Sequence, residues 1–110
     1  MLKKSSRLLT RQVSLVVEKG KIAHSPLFTI RFLSGQSRTR LSVVVAKKKE
    51  KKAVGRNLGR RRVYEALALF MPKIKIGTHA VIFLKEQALG ADFQEMKMDL
   101  AALLKKSSMI

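Results

Sequence analysis

The chain has 110 residues and carries 24 lysines and arginines against 7 acidic residues, a formal charge of +17 at pH 7. A hydrophobic content of 46% separates it from a disordered basic tail, which lacks the apolar residues of a core, and the length suits a single domain over residues 1–110. The absence of cysteine rules out a disulfide scaffold, a thiol nucleophile and any cysteine-ligated zinc or iron–sulfur site.

No apolar run approaches the roughly 20 residues needed to cross a bilayer, so no membrane partner is expected. The segment from Met1 to Thr10 lacks the uninterrupted apolar stretch of a secretory signal. It is basic, contains serine and arginine and has no acids, features that an organellar transit peptide would share. Like charges repel in a compact state, so an excess of this size calls for an anionic partner. A cytoplasmic nucleic-acid binder is the leading class.

Leu9, Val13, Val16 and Val17 recur at helical spacing, with Thr10 as a candidate N-cap and Gly20 as a stop. From Ser25 to Leu33 the period changes to two. Phe28, Ile30 and Phe32 form one apolar face, and Leu27, Thr29, Arg31 and Leu33 a mixed one. Ser34–Ser37 carries turn chemistry and Arg40–Ala46 reads as a second strand, so the two strands are predicted to pair as a hairpin. A charge run over Lys47–Lys52, broken only by Glu50, leads into a predicted helix from Ala53 to Met71 that Pro72 ends. His79–Leu84 is apolar on both faces apart from His79 and is predicted to be a central strand. Asp92 and Glu95 resemble a capping box before a stripe of Phe93, Met96, Leu100, Leu103 and Leu104, with Lys105 and Lys106 at the negative end of the dipole. The predicted fold is a single α+β sandwich in the order α-β-β-α-β-α.

The second helix carries the chemistry. At about 100° per residue, Arg56 and Arg60 share a stripe with Val63, Leu67 and Phe70, and Asn57, Arg61 and Tyr64 lie on an adjacent one. The first two turns are therefore predicted to project past the sheet. Lys51, Lys52, Arg56, Arg60, Arg61 and Arg62 all crowd an N-terminus where exposed cations cost roughly 0.3–1 kcal/mol each. A bound phosphate reverses that sign, because free backbone N–H groups and guanidinium forks both favour an anion there.

Ala53-Val54-Gly55-Arg56-Asn57-Leu58-Gly59-Arg60-Arg61 resembles the arginine–asparagine signature of the bacterial ribonuclease P protein subunit family. Val45-Ala46-Lys47-Lys48 is similar to that family's Val-Ser-Lys-Lys segment, and His24-Ser25-Pro26-Leu27-Phe28 to its first strand. The order of elements agrees from Arg7 onward. The resemblance implies a ribosomal protein S5 domain 2-like fold with a left-handed βαβ crossover. It also implies a role as subunit of an endoribonuclease whose RNA partner removes the 5′ leader of precursor tRNA, with Mg2+ held mainly by the RNA. Arg56, Asn57, Arg60 and Arg61 carry over as contacts to the catalytic RNA, supported by Lys47, Lys48, Lys51, Lys52 and Arg62. The single-stranded leader is implied to lie between the first helix and the sheet, near Val13, Val17, Thr29 and Arg31. Family members often have aromatics in place of Val13 and Val17. Stacking is worth roughly 1–3 kcal/mol per base, and valine cannot supply it, so either leader contact is weaker here or Thr29 and Arg31 compensate. The family's further arginine is Tyr64 here, Leu58 stands at a basic position, and Lys49 and Glu50 replace a more apolar turn.

Other residues read as structural. His24 and His79 lack a carboxylate constellation, and the seven acids are scattered with no pair suited to acid–base work or to a protein-borne magnesium site. Phe28, Phe32, Phe70, Phe83 and Phe93 are assigned to the core. Two other functions compete with the ribonucleoprotein subunit. One is a structural rRNA-binding protein of the same fold, and the other is a stand-alone nuclease, which the scattered acids disfavour. No obligate protein partner is predicted.

Overall fold

A computed structural model of the chain describes residues 7–46 and 51–110. The helical period near the N-terminus forms α1, Thr10–Lys19. Its cap is Leu9 and not Thr10, because the Gln12 side chain accepts the Leu9 N–H at 2.8 Å and starts the turn one residue earlier. Gly20 ends the helix, its N–H donating to the Val16 carbonyl at 2.7 Å.

The chain then enters a strand that its sequence barely signals, β1, Lys21–His24. Three of its four residues are exposed, so no apolar alternation marks it. It forms an antiparallel hairpin with β2, Phe28–Leu33. The strand expected from Ser25 thus begins at Phe28. Ser25–Leu27 is the turn, in which Pro26 has no N–H to give a ladder. Asp99 fastens that turn from the far end of the sequence, accepting from the Ser25 hydroxyl at 2.5 Å and the Leu27 N–H at 3.2 Å.

The predicted hairpin between Ser25–Leu33 and Arg40–Ala46 does not form. The sheet order is β1-β2-β4-β3, with β3 at Arg40–Val44 and β4 at His79–Leu84. β4 lies between the two expected partners, antiparallel to β2 and parallel to β3. Its apolarity on both faces, which predicted a central strand, is satisfied there: Ala80, Val81 and Ile82 are fully buried. The Ser34–Thr39 segment therefore spans the start of β4 instead of closing a tight turn. Gly77 makes this crossing close. Its carbonyl accepts the Gln36 N–H, its φ is +88°, and a Cβ there would sit 2.4 Å from the Gln36 carbonyl oxygen.

Between β3 and β4 runs α2, Ala53–Phe70, followed by a 3-10 turn at Met71–Lys73 that contains Pro72. A short helix α3, Glu86–Leu89, precedes α4, Phe93–Lys106. α3 was not predicted, since four residues are too few to show a period. The Asp92 cap is as predicted, accepting the Glu95 N–H at 2.8 Å.

The core fills one face of the sheet. Phe28, Ile30, Leu41, Val43, Ile82 and Leu84 meet Val63, Ala66 and Leu67 of α2 and Met96, Leu100, Leu103 and Leu104 of α4. Burying each large side chain contributes about 1.5–3 kcal/mol. α1 packs on the opposite face, against β2 and β4, and buries Val16. Phe83 belongs to that second face. The expectation that all five phenylalanines join the core fails here, because strand alternation turns Phe83 away from Ile82 and Leu84.

Candidate nucleic-acid interface

α2 packs on the sheet from its second turn onward. Gly59 is buried, and a Cβ at that position would lie 3.3 Å from Leu84 Cδ2 and 3.6 Å from Val45 Cγ2. The prediction that two turns project past the sheet is corrected by this glycine. It fills the inward stripe, so Arg56 and Arg60 sit half-buried on the flank of a docked helix. The Arg56 guanidinium donates to the Lys51 carbonyl at 2.8 Å, and Arg60 donates to Asn57 Oδ1. Lys52 is the cap residue, and Lys51 and Lys52 are exposed ahead of the helix. Lys47 and Lys48 lie outside the described residues.

Asn57, Arg60, Arg61 and Tyr64 wall one side of a hollow of about 230 Å³, and Arg7 forms the other. Among the described residues no carboxylate lines it. Arg62 is separated from this group. It borders a different hollow, with Leu58, Leu89 and Met96.

Tyr64 was expected on a polar stripe but is buried. Its hydroxyl accepts the Val43 N–H at 3.1 Å. β3 is an edge strand, and this bond supplies the partner that its outer side lacks. The Arg7 guanidinium stands over the Tyr64 ring, 4.8 Å from its centroid. Arg7 also pairs in parallel with Leu41, the Leu8 N–H donating to the Leu41 carbonyl at 3.1 Å. Sequence reasoning missed Arg7 as a site residue, because a single bridge leaves no period. Arg7 Nε is buried and finds no hydrogen-bond acceptor among the described residues. A buried donor left unpaired costs about 1–3 kcal/mol, more when charged. A cation over a ring returns about 0.5–2 kcal/mol of that.

The second group of predicted residues gathers on the α1 side of the sheet. Val13 is half-buried and Val17 exposed on the helix, while Thr29 and Arg31 are half-buried on β2. Arg31 donates to the Val17 carbonyl at 2.5 Å, which ties the C-terminal turn of α1 to the strand. Thr29 Oγ1 lies 3.1 Å from His24 Nδ1. His79, at the start of β4, is buried, and burial first and the Arg40 charge second hold its pKa below the usual histidine range. Among the described residues no group of three or more His, Asp or Glu is placed to hold a metal ion, and no helix is long and apolar enough to cross a membrane.

Fold and site together define a small α+β protein with a four-stranded sheet and a cationic helix flank bordering a hollow lined, among the described residues, by arginine, asparagine and tyrosine. The Ribonuclease P family profile matches residues 2–108, and the chain belongs to that family. The Ribonuclease P protein component of Symbiobacterium thermophilum is 28% identical over 111 residues, covering 99% of this chain and 96% of the relative. That of Xanthomonas campestris pv. campestris (strain B100) is 29% identical over 80 residues and 72% of this chain. The chain spans about half of that relative's length, 54%. The RNase P protein of Thermotoga maritima superposes with a TM-score of 0.80 at 28% identity, over 91% of this chain and 96% of that one. A Staphylococcus aureus RNase P protein mutant with defective mRNA degradation activity shares the fold at a TM-score of 0.87 and 19% identity, over 97% and 92% of the two chains.

Proposed function

We propose that this chain is the protein subunit of a ribonuclease P ribonucleoprotein that matures the 5′ ends of tRNA in the cytoplasm. The α2 flank bearing Arg56, Asn57, Arg60 and Arg61, approached through Lys47, Lys48, Lys51 and Lys52, binds phosphates of the RNA subunit. Arg62 adds positive charge on the other flank. The 5′ leader of precursor tRNA lies along the α1 side of the sheet, beside Val13, Val17, Thr29 and Arg31. Phe83, half-buried on that face, is the ring available to a leader base where α1 presents only valines.

The protein contributes positioning and positive potential, and scission belongs to the RNA. Among the described residues no acidic cluster is placed to hold Mg2+. In this reading the ion is a ligand of the RNA. The observation that carries the proposal is the hollow lined by Arg7, Asn57, Arg60, Arg61 and Tyr64, with no carboxylate among the described residues, at the amino-terminal half of a helix. Reconstitution with a bacterial-type ribonuclease P RNA tests it. The protein is expected to increase precursor-tRNA cleavage at low Mg2+, and cleavage no faster than with RNA alone would refute it.

A further inference from the structure

We propose that the hollow between the loop over residues 75–78 and the carboxyl-terminal turn takes one unpaired nucleotide of an RNA strand. Its base lies between Ile76 and Phe32, its phosphate meets Lys21 and Lys75, and the Ser34 and Ser108 hydroxyls stand at the rim. The inference does not rest on the α2 flank. The hollow lies at the start of β4, beside Thr78, whereas Gly59 brings α2 to Leu84 at the other end of that strand. Phe32 alternates with Arg31 and so faces the α4 side of the sheet, away from α1.

The walls carry the chemistry of a nucleotide. The cavity measures about 280 Å³, close to the roughly 300 Å³ at which small-molecule pockets begin. Phe32, Ile76 and Met109 give it an apolar side, and Lys21, Lys75, Ser34 and Ser108 a polar one. Lys21 is paired directly across from Phe32, which puts ammonium and ring on one face. Among the described residues neither lysine side chain has a partner, and the Ser34 and Ser108 hydroxyls are unengaged. Two cations without a counter-ion beside an apolar wall suit a ligand that is anionic at one end and flat at the other. In a chain at +17 that ligand is a nucleotide, whose base offers a π-face to a ring. The negative end of α4 does not oppose it. The Leu103, Leu104 and Lys105 carbonyls already accept the Ser107, Met109 and Ser108 N–H groups.

Both rims are held in shape. Ile76 is 90% exposed, yet its neighbours are pinned. The Lys75 N–H donates to the Met109 carbonyl at 2.9 Å, and the Lys75 carbonyl accepts the Thr39 and Thr78 hydroxyls at 3.2 and 2.9 Å. The Gly77 N–H donates to Thr39 Oγ1 at 3.0 Å. A large apolar side chain presented to water on a fixed loop loses little further freedom when a base covers it. On the opposite rim Ser108 has a φ of +59°, and among the described residues no other non-glycine is left-handed. Glycine is the usual residue at this point after a helix, so the serine keeps a hydroxyl at the hollow against the preference of its backbone.

The test uses the full chain and methyl-resolved NMR. Adenosine 5′-monophosphate and a single-stranded tetraribonucleotide should each shift the Ile76 and Met109 methyl resonances saturably, and inorganic phosphate should not. Ile76→Ser and Lys75→Gln, both at exposed positions, should weaken binding about fivefold or more. Ser108→Gly should weaken binding while raising the thermal midpoint, because glycine relieves the left-handed strain. Methyl resonances that stay in place with both nucleotide probes overturn the site without recourse to any variant. Equal shifts with inorganic phosphate overturn the base contact. Shifts with the mononucleotide but not with the tetraribonucleotide overturn RNA as the occupant. A stabilised Ser108→Gly that binds as the parent does overturns the role of the serine. Shifted methyl resonances alongside a failed RNA reconstitution would keep the site and remove the ribonuclease P assignment. A working reconstitution with unmoved methyl resonances would remove this site alone.

Discussion

Replacing Tyr64 by phenylalanine isolates one hydrogen bond with a structural consequence. The ring stays beneath Arg7, and only the hydroxyl that accepts the Val43 N–H is lost. Val43 is 4% exposed and lies in an edge strand, so water has little access to take the hydroxyl's place. Leaving a buried N–H unpaired costs about 1–3 kcal/mol. An unfolding entropy of about 2.1 cal/mol/K per residue gives roughly 0.23 kcal/mol/K for 110 residues, so the midpoint should fall by about 4–13 °C. Thermal melts by circular dichroism at fixed salt, without phosphate or sulfate, measure this directly. A loss below about 2 °C would refute the reasoning, since it would mean that the edge N–H finds another acceptor. The RNA-binding salt dependence should not change, because the hydroxyl faces the strand.

Alanine at Arg56, Arg60 and Arg61 together should weaken RNA binding and flatten its salt dependence, each lost phosphate contact lowering the slope by about 0.7–0.9. An unchanged slope would remove those side chains from the interface. Gly77→Ala should destabilise by at least about 2 kcal/mol, because a side chain is strained at a φ of +88° and its Cβ meets the Gln36 carbonyl oxygen. Denaturation midpoints within experimental error of the parent would show that the Gln36 turn can move. His79 titrates below its unfolded value of about 6.5, so between that value and the lower folded one the unfolded chain binds more protons. Its contribution is present above pH 6.5 and is lost as pH falls through the folded pKa. Urea unfolding of the parent and His79→Gln should therefore converge in stability on acidification, and parallel curves would contradict this.

Much of the fold was legible because burial imposes a period. α1, α2 and α4 each show apolar residues at helical spacing, and β4 could be read as central from a run apolar on both faces. Pairing was less legible. Nothing local to Ser25–Leu33 and Arg40–Ala46 says that a strand forty residues further on will come between them. β1 escaped because an exposed edge strand needs no alternation, and α3 because it is a single turn. In the candidate site, the signature from Arg56 to Arg61 was visible, while Arg7 was not. Its position depends on a long-range bridge to Leu41 and on the Tyr64 ring, both products of the assembled sheet. The apparent conflict of arginines on the core stripe of α2 was a misreading of which residue faces inward. Gly59 has no apolar side chain to announce burial, and the helix approaches the sheet through it.

The same structure explains how a chain at +17 keeps its field available for a partner. Several of its cations are held by backbone carbonyls: Arg31 on Val17, Lys85 on Ser25 and Lys106 on His24. A carbonyl orients a cation without cancelling its charge, whereas a carboxylate would do both. Tyr64 follows this logic at the position where the resemblance implies an arginine. By taking the edge N–H of Val43 and stacking beneath Arg7, it does not remove positive charge from the hollow but brings in a cation from another part of the chain. The ring thereby brings Arg7 beside Arg60 and Arg61 of α2.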